Sequence, residues 1–492
     1  MYLGIDLGTS EVKLLLLDGQ GHIIGTAGSP LTVQRPQPLW SEQDPATWFS
    51  ATEAAAAALR AAHPAAWAEV RAIGLSGQMH GAVLLGEGDE VLRPAILWND
   101  GRSHAECAEL EAAAPALHEI AGNLAMPGFT APKLLWVRKS EPALFAQVRT
   151  VLLPKDHLRL CLTGEKVSEP SDAAGTLWLD VARRDWSDEL LAACGLSRAH
   201  MPRLVEGPAV SGTLRPELAA AWGLPAGVIV AGGAGDNAAS AVGIGAVQAG
   251  EGFISLGTSG VLFVVNDRYR PNPASAVHAF CHAMPGRWHQ MSVMLTAASA
   301  LKWYVGFSGA ADEASLVAEA EALGLDAQLD SPVFLPYLAG ERTPHNDPFA
   351  QGGFFGLTHA STRAHGAYAV LEGVSFGIAD GLAALQASGT TVQRLALVGG
   401  GARSRFWAQL MADALAVEIE VHAGGEAGGA LGAARLGWLA AGGREAEVCT
   451  PPQVAARYAP DLARHARLQP RLQRFRALYQ QLRPLTAPGQ TA

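Results

Sequence analysis

The chain has 492 residues, 49% of them apolar and 17% charged, which excludes a disordered chain and leaves room for more than one buried core. Asp and Glu (46) outnumber Lys and Arg (36), giving a net charge of −10, and basic residues cluster only in pairs such as Arg183-Arg184, so no nucleic-acid partner is expected. Five scattered cysteines without a C-x-x-C pair exclude a disulfide framework and fit a reducing cytoplasm. From the N-terminus, Met1 to Asp6 lacks the basic segment and apolar stretch of a secretory signal. Tyr2–Asp6 and Val12–Leu17 are apolar runs joined by a hairpin, Asp18-Gly19-Gln20-Gly21 is a turn, and a third strand starts at His22. Asp44-Pro45 is an N-cap with proline at the first helical position, and the helix continues through Trp48–Ala62. Short apolar runs at Ala72–Leu75, Ala82–Leu85, Val151–Leu153 and Val228–Ala231 alternate with helical patterns, which predicts an α/β fold. No apolar run approaches the roughly 18 residues of a spanning helix, so no membrane partner is expected.

One motif repeats. Ile5-Asp6-Leu7-Gly8-Thr9-Ser10 returns 249 positions later as Ile254-Ser255-Leu256-Gly257-Thr258-Ser259, again before a strand, Val261–Val265. Two halves opening on the same hairpin imply a duplicated domain. The division expected is 1–247 for a sugar-binding half, 248–445 for a nucleotide-binding half, and 446–492 for a helical extension.

Two Gly-Thr-Ser hairpins facing each other make a phosphate clamp: glycine lets the backbone approach, successive N–H groups point at one anion, and hydroxyls add hydrogen bonds. Asp6 precedes the first turn, where it would organise Mg²⁺ through water. Val398-Gly399-Gly400-Gly401-Ala402 is a strand running into glycines, a flat surface suited to a base and ribose. There is no Gly-Lys dipeptide and hence no P-loop lysine, and Gly233-Ala234-Gly235-Asp236-Asn237-Ala238 places an acid where a dinucleotide turn would meet pyrophosphate. That acid fits another task. Asp236, following the strand Val228–Ala231, projects into a cleft as the base for a sugar hydroxyl, with Asn237 beside it for a polyol. An Asp here also suits a cap on the following helix. Gln78-Met79-His80-Gly81 and Trp98-Asn99-Asp100 each follow an apolar strand and supply the polar groups and apolar faces of a sugar site. His278, Cys281, His282 and His289 have no zinc-ligand spacing and read as structural.

Together with Gly340-Glu341-Arg342-Thr343-Pro344 and Gly399-Gly400-Gly401-Ala402-Arg403-Ser404, these motifs resemble the FGGY carbohydrate kinases, from residue 1 to at least 440. Pro38-Leu39-Trp40-Ser41-Glu42-Gln43-Asp44-Pro45, Gln78-Met79-His80-Gly81, Leu153-Pro154-Lys155-Asp156 and Gly235-Asp236-Asn237 are similar to the members acting on D-xylulose. The resemblance implies two duplicated actin-like ATPase (ribonuclease H-like) α/β domains, with ATP and sugar meeting in the cleft between them. It implies Asp236 as catalytic base and Met79, His80, Asp100 and Asn237 on the sugar. It places Asp6, Thr9 and Lys13 at the phosphates or Mg²⁺, Thr258 and Ser259 at the phosphates from the other side, and Gly400, Gly401 and Ala402 at the nucleoside. Family members commonly form homodimers. Glu11 departs from the family by adding negative charge beside the first turn, and Ser140 and Gly366 depart within its two signature stretches. Kinases of ribulose, gluconate or glycerol are the nearest rivals, although glycerol kinases carry an Arg-Glu pair at the Gln-Met-His position. A non-catalytic actin-like nucleotide switch is the more distant one.

Overall fold

In the computed structural model, which describes residues 1–423 and 428–486, two seven-stranded sheets of like order carry the two halves. In the first, β1 (Tyr2–Leu7), β2 (Glu11–Leu17) and β3 (Ile23–Pro30) form an antiparallel meander. Helix α1 (Pro45–Ala62) opens with the Asp44 carboxylate accepting from the Ala46 N–H, and leads to β4 (Ala72–Gly77), parallel to β1. Helices α2 (Pro154–Thr163) and α3 (Pro170–Ala173) come before β5 (Val210–Thr213) and β6 (Ile229–Ala231). A two-residue strand, Ala234–Gly235, pairs with the end of β4 and runs directly into α4 (Asp236–Gly243). The strand order is β5-β6-β4-β1-β2-β3.

The second sheet repeats this plan. It contains β7 (Glu251–Leu256), β8 (Gly260–Asn266), β9 (His278–Cys281) and β10 (Trp288–Met294), then α5 (Ala298–Ser308), α6 (Arg363–Gln386), β11 (Arg394–Val398) and α7 (Arg405–Leu415). Strand β12 (Glu418–His422), α8 (Gly428–Ala440), β13 (Val454–Tyr458) and α9 (Leu462–Thr486) complete it, in the strand order β9-β10-β8-β7-β11-β12-β13. Strand β7 is antiparallel to β8 and parallel to β11, as β1 is to β2 and β4. The repeated hairpin therefore marks a repeated sheet.

Alternation along the strands decides what each face meets. Leu3, Ile5, Leu14 and Leu16 pack on Trp48, Ala55 and Leu59 of α1. Tyr2, Leu15 and Leu17, on the opposite face, pack on Ala430, Leu431 and Ala434 of α8. Gly4 and Gly74 make that second contact possible: a Cβ on either would lie 1.9 Å from the Ala430 carbonyl oxygen or 1.7 Å from that of Ala433. The expectation that no segment suits a membrane span needs correction: α6, though interrupted by Glu372 and Asp380, is among the described residues the one helix long and apolar enough, and it lies almost wholly buried in the second core beside Leu256, Phe334 and Leu410.

Two expectations about the division of the chain need correction. Helix α8 falls within the expected nucleotide-binding half by sequence, yet it covers the sheet of the first half, because its small residues fit against Gly4 and Gly74. The extension after residue 445 is not purely helical: β13 joins the edge of the second sheet against β12, and α9 inserts Leu468, Leu472 and Phe475 into the second core. Val83–Leu85 and Thr150–Leu152 are strands, but they pair with each other outside the main sheets.

Candidate active site

The carboxyl ends of β1, β4 and the Ala234–Gly235 strand lie along one edge, with Asp6, Ser76 and Ala234 in register across them. Gly233, at φ +77°, turns the chain out of β6, and three residues later Asp236 begins α4. Its Oδ1 accepts from the Asn237 backbone N–H at 2.7 Å and from Asn237 Nδ2 at 2.9 Å. Its residue surface is part-buried. Burial, and then the neighbouring Asp6 carboxylate, push the Asp236 carboxyl up to about 6.

Asp6 accepts from Ser76 Oγ at 2.9 Å and lies directly across the β1–β2 ladder from Lys13. Burial holds its carboxyl above the usual range despite that hydrogen bond and the lysine. Two adjacent carboxylates, both resisting ionisation, fit a divalent cation. No cluster of three or more His, Cys, Asp or Glu side chains able to hold a metal occurs among the described residues, so Mg²⁺ here would complete its shell with water and phosphate oxygens. Glu11 is exposed and lies over Gly28 of β3.

The structure ties Thr9 towards the sugar motif. Its hydroxyl donates to Gln78 Oε1 and accepts from Trp98 Nε1, both at 3.0 Å, while its carbonyl accepts from Gln43 Nε2 at 2.7 Å. Thr258 and Ser259 differ: both are exposed, and the loop backbone is braced by the Ala297 and Ala298 N–H groups and by Ser299 Oγ. Since β7 and β11 are parallel neighbours, this hairpin adjoins the glycine turn. Gly399 takes φ +89°, with the Leu256 carbonyl 2.9 Å from where its Cβ would be, and Gly400 faces open space. Gly401 is buried on the Leu256 side chain, and Ala402 is half-buried.

Beside Asp236 lies the Gln78-Met79-His80 cluster. A Cβ on Gly235 would lie 3.0 Å from Met79 Sδ, so the thioether rests against the turn carrying Asp236. His80 takes φ +69°, a strained conformation for a side chain of its size. Its carbonyl accepts from Thr130 Oγ1 and Lys133 Nζ. Its Nδ1 lies 2.7 Å from the Gly175 carbonyl oxygen, which can only accept, so Nδ1 carries the proton and Nε2 keeps a lone pair. Burial pushes the ring down to about 3, leaving it neutral. The Trp98 ring, 48% exposed, opens an apolar face.

Asp100 is not brought to the cleft. Its carboxylate accepts from the Ser41 N–H at 2.6 Å, the Arg102 N–H and Nε at 2.9 Å and Arg102 Nη2 at 2.7 Å, and its side chain has no exposed surface. Arg102 in turn lies 2.7 Å from Glu42 and 3.6 Å from the centre of the Trp40 ring, so Asp100 locks the loop that presents Trp98. Sequence reasoning missed Ser76 and Gly175. Ser76 was detectable from its register with Asp6, whereas a backbone carbonyl partner leaves no mark on side-chain identity.

Comparison with known proteins accords with this geometry. Residues 1–243 match the N-terminal domain, and residues 252–441 the C-terminal domain, of the FGGY family of carbohydrate kinases. The xylulose kinase of Escherichia coli (strain K12) is 54% identical over 490 residues, spanning 99% of this chain and 100% of that protein. The crystal structure of a xyloylose kinase from Brucella ovis superposes with a TM-score of 0.95 at 55% identity, covering 98% of this chain and 99% of that one. That of the xylulose kinase from Rhodospirillum rubrum gives 0.92 at 31% identity, covering 99% of each chain.

Proposed function

Because this chain belongs to the FGGY family of carbohydrate kinases, we propose that it transfers the γ-phosphoryl group of ATP to the 5-hydroxyl of D-xylulose. The observation that carries the reading is Asp236: a part-buried carboxylate between the sugar cluster around Met79 and the carboxyl end of β1. A nucleotide switch needs no such base beside a sugar pocket. The five cysteines are all unpaired, which suits the cytoplasm as the place of action.

Asp236 accepts the proton of the sugar hydroxyl as that oxygen attacks the γ-phosphorus in line with the departing ADP. Asn237 and Met79 hold the sugar against the base, and the lone pair on His80 Nε2 accepts from a second sugar hydroxyl. Thr258 and Ser259 supply donors where charge develops on the transferred group, and Lys13 supplies a cation from the first hairpin. Gly400 leaves room for the nucleoside, with Ala402 at its margin. Mg²⁺, held beside Asp6 through water, would offset charge on the phosphate oxygens. Closure of the cleft excludes the water that would otherwise hydrolyse ATP.

The test is ADP release with D-xylulose, D-ribulose, L-ribulose, gluconate and glycerol. D-Xylulose is expected to give the highest kcat/KM, and preference for another polyol would discard the substrate. Asp236→Ala is expected to abolish sugar-dependent turnover while retaining ATP binding by calorimetry. Turnover surviving that substitution would remove Asp236 as the base.

A further inference from the structure

Beneath the cleft floor lie five fully buried ionisable side chains that meet no ligand: Lys155, Asp156 and Arg159 on α2, Glu169 before α3, and Asp172 within it. Lys155 and Asp156 belong to the Leu153-Pro154-Lys155-Asp156 run, whose role the kinase reaction leaves open. Lys155 Nζ lies 2.5 Å from Asp156 Oδ1 and 3.3 Å from Asp172 Oδ2. The Arg159 guanidinium donates to Ser211 Oγ and to the carbonyls of Ala231 and Gly232, where β6 turns towards Asp236. Glu169 accepts from the Ser171 N–H at 2.7 Å, Ser171 Oγ at 2.9 Å and the Asp172 N–H at 2.8 Å.

From residues 169–176 beside this cluster, two hydrogen bonds run to the active site, and they reach its two sides. Ser171 Oγ accepts from the Gly235 N–H at 3.1 Å, one residue before Asp236. Four residues further along, the Gly175 carbonyl fixes His80 Nδ1 at 2.7 Å. We infer that residues 169–176 form a positioning bracket, anchored on Lys155 and Arg159, that holds the Asp236 carboxylate and the His80 ring at a set separation. Burying so many ionisable groups costs more than an apolar filling would, and fixing one geometry is a use such clusters serve. Three acids face two cations. Burial, and then the adjoining carboxylates, hold the Asp172 carboxyl well above its usual range despite Lys155.

The bracket rests on the reading of Asp236 as base, and the experiment separates the two. Steady-state kinetics with D-xylulose and MgATP are compared for the parent, Ser171→Ala, Gly175→Ala and Asp236→Ala, each at 20 °C below its own Tm. Ser171→Ala frees the turn before the base and is expected to lower kcat about tenfold or more, with KM for ATP within about twofold. In Gly175→Ala the new Cβ would lie 2.6 Å from His80 Nδ1 and 3.0 Å from Met79 Cε, and KM for D-xylulose is expected to rise about tenfold. A general loss of stability would lower Tm without dividing kcat from KM in this way. If Asp236→Ala is inactive while Ser171→Ala keeps kcat within twofold, or Gly175→Ala keeps the sugar KM within twofold, the bracket is overturned. An active Asp236→Ala overturns the base itself.

Discussion

At Asp236, desolvation and the nearby Asp6 carboxylate both oppose the charge that catalysis requires. The base works only when ionised, so with the group raised to about 6, sugar-dependent kcat/KM is expected to fall about tenfold per pH unit below that value and to level off above it. A pH–rate profile checks this. The same shift affects stability with the opposite sign. A carboxyl raised in the folded state weakens the fold as pH climbs from its unfolded value through about 6, and the penalty vanishes in acid. Asp236→Asn is therefore expected to raise Tm at pH 8 and to gain much less at pH 4, as calorimetry would show. The placement of Asp6, Asp236 and His80 was legible because each stands at or just beyond the end of an apolar run. Asp100 had the same placement, but Arg102 two residues on captures its carboxylate, and a local ion pair of that kind competes with any ligand.

At the scale of elements, the paired hairpins and the glycine turn were legible through repetition and composition. Strand β13 was not: it is a five-residue run of half-buried and exposed positions at a sheet edge, close to prolines on both sides. Nor was the destination of α8, since a stripe of small residues says that something comes close without saying what. That contact predicts sensitivity to single atoms. Gly74→Ala would drive a methyl into the Ala433 carbonyl, 1.7 Å from the new Cβ. It is expected to destabilise by about 1–3 kcal/mol, read from the denaturant midpoint. Gly19→Ala, in an open turn with nothing within 4 Å, is expected to shift that midpoint little.

For the whole molecule, two sheets of like order divide the candidate groups: Asp236, the Gln78-Met79-His80 cluster and the first hairpin stand on one, the second hairpin and the glycine turn on the other. Packing crosses the expected division through α8. Residues 1–247 expressed alone would leave Tyr2, Leu15, Leu17 and Ala72 without their cover. That fragment is expected to elute as aggregate from size exclusion, and a soluble monomer would show that the first sheet stands without α8.

Protein synthesis is vectorial, and α8 comes late. After residue 247 leaves the ribosome, 193 more residues (440 − 247) must follow before the helix is complete, about 10–40 s at ordinary elongation rates. Throughout that interval a finished set of first-half strands waits with one apolar face bare. The nascent chain thus carries that bare face through about two-fifths of its translation, and codon choice between those two points sets how long the exposure lasts.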